Sequence, residues 1–425
     1  MRTILDNMIY RLGAKRFVDQ VVDDLLQRRN VILVITPDVN PRAMWAAIRG
    51  ELCWRGVDVD EIELEEYPSP QPAHCFLAGR LGVRRVAENN SLALTDLAAS
   101  LNLPEIVWLH GISTLPSKDR QLWLEFLENW AKVASLVEEL KRYRPVFCVP
   151  FSGAYAAEAA RGNDLRLVAR YWWTALSALD TRLLCRLVCD DSSLTPKAMW
   201  RENLIPSIAA SDLDLVEILW EPVLEAEEGV FSALRDHAKR RQWKEEYVES
   251  CSRDLGNVPH VRVDEGPIDL PERLIPYWAA GLLQVTPEHG IELNSAALCM
   301  VSRDAEVRHR LWRGQATLIL PVLDETRLSI CRRLTLAYGA DWPYQWMKPR
   351  DEEEAEAVRE DPFACQFGHL ETLLRNCRKF ESERHWLGLI EQARFLRNEL
   401  AHYRPVHFTD FIRFWELSQE IGNTN

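Results

Sequence analysis

The chain has 425 residues, more than one hydrophobic core usually supports, so we expect two or three domains. With 47% hydrophobic and 27% charged residues, its composition is that of an ordinary globular protein. The net charge of −13 argues against broad, non-specific binding to DNA or RNA, because the field of the whole molecule repels phosphate. Any contact with nucleic acid must therefore be local.

The N-terminal segment and the cysteines indicate a soluble protein of a reducing compartment. Residues 1–17 have neither a continuous apolar stretch nor a small-residue cleavage site, and no window approaches the roughly 18 apolar residues of a membrane span. Ten scattered cysteines do not form a disulfide framework. Cys185 and Cys189, one helical turn apart, are interpreted as buried thiols and not as metal ligands. We expect a cytoplasmic protein without a metal or cofactor.

Short apolar, β-branched runs alternate with amphipathic stretches over residues 1–190. Loop residues and a helix-like segment follow each run. Such alternation predicts a parallel, three-layer α/β domain. Residues 171–173, Tyr-Trp-Trp, are assigned to an apolar helix of its core. The candidate strands are Val31–Ile35, Ile106–Leu109 and Val146–Val149.

The segment after the first candidate strand is where a phosphate-binding loop would be sought. Such a loop needs glycines whose amides close on phosphate oxygens, a lysine, and a hydroxyl for Mg²⁺. Residues 35–45 contain no glycine, Pro37 and Pro41 remove two amide donors, and Arg42 is the only cation. This loop is not expected to hold a triphosphate.

The second candidate strand leads into His110, where a working ATPase would have an aspartate that positions Mg²⁺. Arg120 follows on a helix. In the order and spacing of its strands, the segment resembles the P-loop NTPase modules of bacterial defence and signalling proteins. A scaffold that has lost hydrolysis is favoured over an active nucleotidase or an unrelated α/β fold. Pro150–Gly153 could offer a hydroxyl and amides to an anion, but we interpret it as a plain turn.

Residues 191–304 are predicted to be a helical connector. From Asp190 to Asn257 the pattern is helical and heavily charged. The segment 275–300, with Pro287–Gly290 at its centre, could form a small winged-helix-like unit. Together these features predict a multidomain chain, α/β at first and helical afterwards.

Residues 305–425 are predicted to form an all-helical domain. Apolar residues from Leu311 to Leu334 recur at near-helical spacing and indicate a long first helix that stops at Gly339. The acidic stretch Asp351–Pro362, with seven carboxylates and one arginine, is predicted to be a solvated loop. Three further helices are expected at about Phe367–Phe380, Trp386–Tyr403 and Asp410–Ile421.

The segment from Arg394 to His402 carries the candidate chemistry. Arg397 and Asn398 are followed by three residues and then His402, near the end of the penultimate helix. With this motif behind a long first helix, the C-terminal region of about 120 residues resembles the HEPN family of RNA-cleaving domains. The resemblance implies a helical bundle, a homodimer, and cleavage of RNA to 2′,3′-cyclic phosphate and 5′-hydroxyl ends.

Helical geometry separates the members of this motif. On an ideal helix Asn398 and His402 face the same way, whereas Arg397 lies about 140° from His402 around the axis. Arg397 and His402 could converge if the last turn unwinds, or if a second copy contributes across a two-fold interface. His402 suits general acid–base work, Arg397 stabilisation of the phosphorane charge, and Asn398 orientation of either. The structural alternative is that Asn398 and His402 cap the helix while Arg397 binds a carboxylate.

Other polar residues extend the candidate site. Glu325 or Arg327 of the long first helix would complete it, and the sequence does not decide between them. Arg394 and Arg404 are candidate RNA-binding residues, in a segment, 375–404, that has seven Lys or Arg against four Glu. The alternative for this segment is a solvated surface laced with ion pairs.

The resemblance implies a metal-independent endoribonuclease, and the whole arrangement resembles effectors of bacterial toxin or anti-phage abortive-infection systems, with the N-terminal module as the regulator. RNA, a second copy of the chain and defence-system proteins are its expected partners. The alternative is a non-catalytic adaptor in a multiprotein defence complex, with its N-terminal domain docked onto an active ATPase.

Overall fold

A computed structural model describes most of the chain. The described residues are 12–69, 71–83, 94–98, 100, 102–133, 143–153, 165–173, 175–188, 195–220, 222–257, 270–347 and 352–423. Among them, no helix is long and apolar enough to cross a membrane. Of the two neighbouring cysteines, Cys185 is buried, and Cys189 lies outside the described residues.

The chain forms two compact units. The α/β unit comprises Met1–Leu184, Ala210–Glu217 and Arg241–Val301. The helical unit comprises Cys185–Ala209, Ile218–Arg240 and Ser302–Asn425. Both units thus include segments from the predicted connector, and the domain boundaries at residues 190 and 304 stay a prediction.

A parallel five-stranded sheet organises the α/β unit. Its order is β2-β3-β4-β1-β5, so that β1 lies between β4 and β5. Every residue of β1 is buried, as a central strand of a parallel sheet requires. A parallel sheet with this order fits the expected P-loop-like fold. The strands are β1 (Asn30–Ile35), β2 (Val59–Glu63), β3 (Ile106–His110), β4 (Val146–Ser152) and β5 (Leu167–Tyr171).

The three predicted strands are confirmed. The two edge strands, β2 and β5, were not predicted from the sequence. The assignment of residues 171–173 to a helix is wrong, because Tyr171 ends β5, which pairs with β1 from Asn30↔Leu167 to Val34↔Tyr171. The prediction of a turn at Pro150–Gly153 is also wrong for its first three residues, because β4 continues to Ser152. The amide of Ser152 donates to Ser113 Oγ at 3.0 Å, so it is not free for an anion.

A short antiparallel hairpin follows within the α/β unit. Strands β6 (Leu283–Thr286) and β7 (Gly290–Leu293) flank the turn that the sequence placed at Pro287–Gly290. Short helices lie directly before and after the hairpin, at Ile275–Ala279 and Ser295–Met300. The winged-helix interpretation of this segment stays a prediction.

Eighteen helices of more than three residues, counted among the described residues and leaving out 3-10 turns, complete the fold. The first twelve are α1 (Leu12–Leu26), α2 (Pro41–Trp54), α3 (Ala73–Arg80), α4 (Leu94–Ala98), α5 (Ser117–Val133), α6 (Ala178–Val188), α7 (Pro196–Ala209), α8 (Leu213–Leu219), α9 (Glu227–Arg240), α10 (Glu245–Gly256), α11 (Ile275–Ala279) and α12 (Ser295–Met300). The last six are α13 (Asp304–Tyr338), α14 (Trp342–Trp346), α15 (Glu352–Glu360), α16 (Phe367–Asn376), α17 (Leu387–Ala401) and α18 (Phe408–Asn423).

The helical unit is built around α13, a helix of 35 residues that ends at Gly339 as predicted. α7 packs against it at Gly314, where an added Cβ would lie 2.9 Å from Leu204 Cα and 3.0 Å from the Asn203 carbonyl oxygen. Glycine is therefore required for the two backbones to approach this closely. α16, α17 and α18 follow near their predicted positions.

The acidic stretch was predicted wrongly, because Glu352–Glu360 forms helix α15 instead of a loop. Its first turn carries Glu352, Glu353 and Glu354, which interact favourably with the partial positive charge at a helix N-terminus. Val358 is buried on the inner side. Glu354 also pairs with His369 at 2.6 Å, which fixes the helix to its neighbour.

Candidate functional site

An open cleft in the helical unit contains Arg397 and Asn398, two of the three motif residues. Its volume is about 500 Å³, and its walls come from α13, α17, the start of α16 and the turn before α16. Three arginines and one carboxylate line it, so its local charge is positive in an acidic chain. The lining residues are Leu320, Leu323, Asp324, Arg327, Phe363, Ala364, Gln366, Phe367, Gly368, Arg394, Arg397 and Asn398.

Helix α17 presents Arg394, Arg397 and Asn398 to the cleft because its other side is apolar. Its buried residues recur at helical spacing and fix its rotation in the bundle. Arg394 and Arg397 remain exposed, and Asn398 is half-buried. The buried set includes Leu389, Ile390, Ala393, Leu396 and Leu400.

The two arginines of α17 differ in their partners. Arg394 is bound by Glu371 of α16, with Nη1 to Oε2 at 2.6 Å. Arg397 donates from Nη1 to Asn398 Oδ1 at 3.3 Å, and no carboxylate among the described residues pairs with it. The guanidinium of Arg397 is therefore available to an anion in the cleft. The structural alternative in which Arg397 binds a carboxylate has no counterpart in the described part of the chain.

Arg327 of α13 lines the opposite wall and is held rigidly. It donates to Asp324 Oδ1 at 2.8 Å and 3.1 Å and to the carbonyl oxygens of Phe363 and Cys365, the latter at 3.1 Å. Arg327 thereby fixes the segment that forms the cleft wall. Glu325 does not line the cleft: its side chain is 72% exposed and lies 3.8 Å from Arg332. Of the two candidates on α13, Arg327 is thus the one at the cleft.

His402 and Arg404 lie outside the cleft lining. α17 ends at Ala401 in a Schellman motif, in which the amide of Tyr403 donates to Leu400 O at 3.1 Å and that of Arg404 to Glu399 O at 3.0 Å. His402 is the exposed C-cap residue. The last turn therefore stays helical, and it does not bring His402 to Arg397. Arg404 pairs with Glu399 at 2.9 Å.

The turn before α16 supplies cleft residues that sequence reasoning missed. Gln366 caps α16 through a capping box with His369. Gly368 lies beside Arg394, whose Nε would be 4.0 Å from a Cβ added at Gly368. The box could have been read from the polar pair at Gln366 and His369. The position of this capping box at the cleft could not be read from the sequence, because that position depends on how α16 packs against α17.

Two cysteines near Arg327 are unsuited to nucleophilic chemistry. Burial raises the pKa of Cys331 to about 11 and that of Cys365 to about 12. Both thiols therefore stay protonated at neutral pH, and a thiolate is the reactive form. Among the residues that the structure describes, no cluster of three or more His, Cys, Asp or Glu side chains could hold a metal ion.

In the α/β unit, the protein's own side chains occupy the donors of the loop after β1. The side chain of Asn40 caps α2 and accepts from the amides of Arg42 at 3.0 Å and Ala43 at 3.5 Å. These are the helix N-terminal amides that would face a phosphate in a nucleotide-binding loop. The guanidinium of Arg42 pairs with Glu63 at 3.0 Å.

His110, at the magnesium-positioning place of the second diagnostic strand, has a structural role. It is buried, and its Nδ1 accepts a hydrogen bond from Trp108 Nε1 at 3.0 Å. Its Nε2 lies 3.0 Å from Glu61 Oε2 on the neighbouring strand β2. The Nδ1 bond thus lies within β3, and the Nε2 contact links β3 to β2. Arg120 is also buried and donates to the carbonyl oxygen of Leu115.

A buried carboxylate lies just beyond β1. Asp38 is half-buried as a residue, but its carboxylate is enclosed, accepts from the amide of Leu213 at 3.1 Å and lines a cavity of about 20 Å³. The nearby Asp212 accepts from Asn294 at 2.8 Å and lies 3.5 Å from Arg241. Burial and the charge of Asp212 raise the pKa of Asp38 to about 6, against the opposing effect of Arg241.

The chain shows little similarity to known proteins. No family model matches the chain, and no curated protein matches it significantly. One matching solved structure is that of Drosophila ORC bound to poly(dA/dT) DNA and Cdc6, at 12% identity over 98% of this chain and 70% of that chain. The TM-score of this match is 0.24, which does not support a shared fold or function.

Proposed function

We propose that the helical unit is a HEPN-like, metal-independent endoribonuclease and that the cleft binds the phosphate at which RNA is cut. The observation that carries this proposal is the placement of Arg397 and Asn398 on an open cleft beside Arg327 and Arg394. Arginine is well suited to the task, because its planar fork contacts two phosphate oxygens at once. The positive charge of the cleft is local. A local positive site is needed because the chain as a whole is acidic and repels RNA.

The chemistry assigned to this site is an internal transesterification. The RNA 2′-oxygen attacks the adjacent phosphorus while a base removes its proton, the bond from phosphorus to the 5′-oxygen breaks, and that oxygen receives a proton. The products are a 2′,3′-cyclic phosphate and a 5′-hydroxyl. Arg397 stabilises the charge on the phosphorane, Asn398 orients Arg397 through their hydrogen bond, and His402 transfers protons.

The position of His402 makes a second copy of the chain part of the proposal. His402 does not line the cleft that contains Arg397, and the helical end at Ala401 keeps the two apart. A two-fold dimer would supply His402 from the partner copy, and each dimer would then contain two composite sites.

Mixing two inactive variants tests the composite site directly. Arg397→Ala is expected to lower RNA cleavage by about 10²- to 10³-fold and His402→Ala by about 10²- to 10⁴-fold. In a random mixture about half of the dimers are mixed, and each mixed dimer has one intact site, so about a quarter of wild-type activity should return. If the mixture stays inactive while both variants fold and dimerise, the composite site is refuted.

A matched pair of arginines tests the cleft itself. Arg394 and Arg375 both pair with Glu371, at 2.6 Å and 3.0 Å, and their side chains are 50% and 53% exposed, but only Arg394 lines the cleft. Arg394→Ala should weaken RNA binding, measured by fluorescence anisotropy, whereas Arg375→Ala should not. Equal losses for both variants would show that surface charge, and not the cleft, attracts RNA.

The second candidate function is a non-catalytic adaptor, which is favoured by the absence of His402 from the residues that line the cleft. In that case the cleft binds an anionic ligand or partner without cutting RNA. Either protein fits a bacterial toxin or anti-phage defence setting in the cytoplasm, in which the α/β unit restrains the helical unit or docks onto an active ATPase. Incubation of the purified protein with total RNA, followed by mapping of the ends, separates the two functions.

A further inference from the structure

The end of α17 holds an exposed tyrosine in an unfavourable backbone conformation. Tyr403 has φ of +58°, at the position of the Schellman motif that glycine usually takes. A side chain with a Cβ is disfavoured in this left-handed region. The residue is also 66% exposed, so burial of its ring offsets little of this cost. A tyrosine at the position that glycine usually takes raises the question of what its side chain contacts.

Tyr403 belongs to a surface cluster of three rings, the ring platform, formed by His309, Trp312 and Tyr403. The rings of His309 and Trp312 are stacked, with centroids 5.1 Å apart and an interplanar angle of 24°. Those of Trp312 and Tyr403 lie 4.7 Å apart at 47°. His309 is exposed and Trp312 is half-buried. Of the three residues, His309 and Tyr403 are therefore the ones most open to solvent.

The ring platform is held rigidly between two helices. Trp312 Nε1 donates to the carbonyl oxygen of Leu400 at 2.8 Å, which ties α13 to the last turn of α17. The Schellman hydrogen bonds fix the backbone of Tyr403. Rings that are ordered before binding lose little freedom when a ligand stacks on them.

We propose that the ring platform stacks a base of single-stranded RNA and holds the strand beside His402. Base stacking on aromatic side chains is the common way in which proteins bind single strands, since every base offers a flat face. Exposed His402 directly precedes Tyr403, and Arg404, whose side chain is 60% exposed, directly follows it. The proposal rests on the proposed ribonuclease function and adds a base-binding contact outside the arginine cleft.

The test uses full-length protein carrying His402→Ala, so that RNA is bound but not cut. The probe is a short single-stranded RNA with 2-aminopurine, whose fluorescence falls when the base stacks on a ring. Tyr403→Gly removes the ring and at the same time suits the left-handed backbone, so the helix end is not weakened. The melting temperature of the Tyr403→Gly variant should equal or exceed that of the parent protein, which carries His402→Ala alone. If the melting temperature is lower, the test is repeated with Tyr403→Asn.

Tyr403→Gly is expected to weaken RNA binding by about 5- to 150-fold and to abolish the fluorescence change. Tyr403→Phe, which keeps the ring, should behave like the parent. Phe395→Ala is the matched control, because Phe395 is another exposed aromatic residue of α17, 44% exposed, outside the platform. Its affinity for RNA should not change.

The outcomes distinguish this proposal from the ribonuclease. If Tyr403→Gly binds RNA and quenches the probe like the parent, the ring platform has no role in RNA binding, whether or not the protein cuts RNA. If binding depends on Tyr403 but the wild-type chain cuts no RNA, the platform is supported and the ribonuclease fails. If the parent binds no single-stranded RNA, the platform proposal is overturned, and a protein partner becomes the candidate for this surface.

Discussion

Replacing Asp38 by asparagine should stabilise the α/β unit, and more so at neutral pH than in acid. The Asp38 carboxylate is enclosed next to Asp212, and asparagine keeps an oxygen that can accept from the amide of Leu213. The substitution therefore removes the cost of a buried charge without removing the hydrogen bond. Arg241, which pairs with Asp212 at 3.5 Å and with Asp214 at 2.9 Å, then faces one carboxylate fewer, so both pairings should persist.

The magnitude follows from the raised pKa. In the folded chain the pKa of Asp38 is about 6 against an ordinary 3.8, so the native state binds the proton more tightly than the unfolded state. Ionisation then costs stability as the pH rises from about 4 to about 6, and the cost is constant above that range. At about 1.4 kcal/mol per pKa unit, it amounts to about 1 kcal/mol at pH 4.5 and about 3 kcal/mol at pH 7.5.

Differential scanning calorimetry at the two pH values measures the difference. For a unit of this size, about 2 kcal/mol corresponds to roughly 4 to 8 °C, so the gain in melting temperature from Asp38→Asn should be larger by this amount at pH 7.5. Asp60→Asn, an exposed aspartate of β2, is the control and should show no such dependence. If Asp38→Asn changes the melting temperature equally at both pH values, or lowers it at pH 7.5, the carboxylate is not destabilising and the reasoning fails.

Three further predictions concern the rest of the chain. Gly314→Ala should destabilise the helical unit by about 1–3 kcal/mol in a denaturant titration, because the new methyl group would meet the backbone of Leu204; an unchanged midpoint would contradict the close approach. His110→Phe should destabilise the α/β unit by about 1–3 kcal/mol, because it leaves the buried Trp108 Nε1 without its acceptor; thermal melting checks this. Steady-state ATP hydrolysis should be negligible, and turnover at an ordinary ATPase rate that Arg42→Ala removes would overturn the account of the loop after β1.

The central strands could be predicted from the sequence and the edge strands could not. β1, β3 and β4 are apolar runs because both faces of a central parallel strand are covered. β2 reads Val-Asp-Glu-Ile-Glu, and one of its five residues is buried, so it shows no buried run. β5 contains Arg170, whose guanidinium is bound by Asp24 at 2.6 Å and 3.0 Å, a contact that only the folded chain reveals.

The motif of Arg397, Asn398 and His402 stays a prediction from the sequence. The structure agrees with helical geometry in one respect, because Arg397 lines the cleft and His402 does not. The choice between Glu325 and Arg327 was not made from the sequence, because it depends on which face of α13 lines the cleft. Arg327 falls on the same helical face as Leu320 and Leu323, whereas Glu325 does not. The opposite wall of the cleft could not be predicted, because its position depends on the packing of α16 and on the hydrogen bonds from Arg327 to backbone carbonyl groups. These contacts leave no pattern in the sequence.

The continuity of α13 sets a minimum length for any RNA that contacts the cleft and the ring platform of the same copy of the chain. His309 and Trp312 of the ring platform and Leu320 to Arg327 of the cleft lie on this single helix. At 1.5 Å per residue their centres are about 20 Å apart along the axis, a spacing that a continuous helix holds nearly constant. A mononucleotide can reach one contact at a time, whereas a strand of several nucleotides that bridges both gains the avidity of linked sites. Affinity should therefore rise steeply at one oligonucleotide length instead of gradually with each added nucleotide.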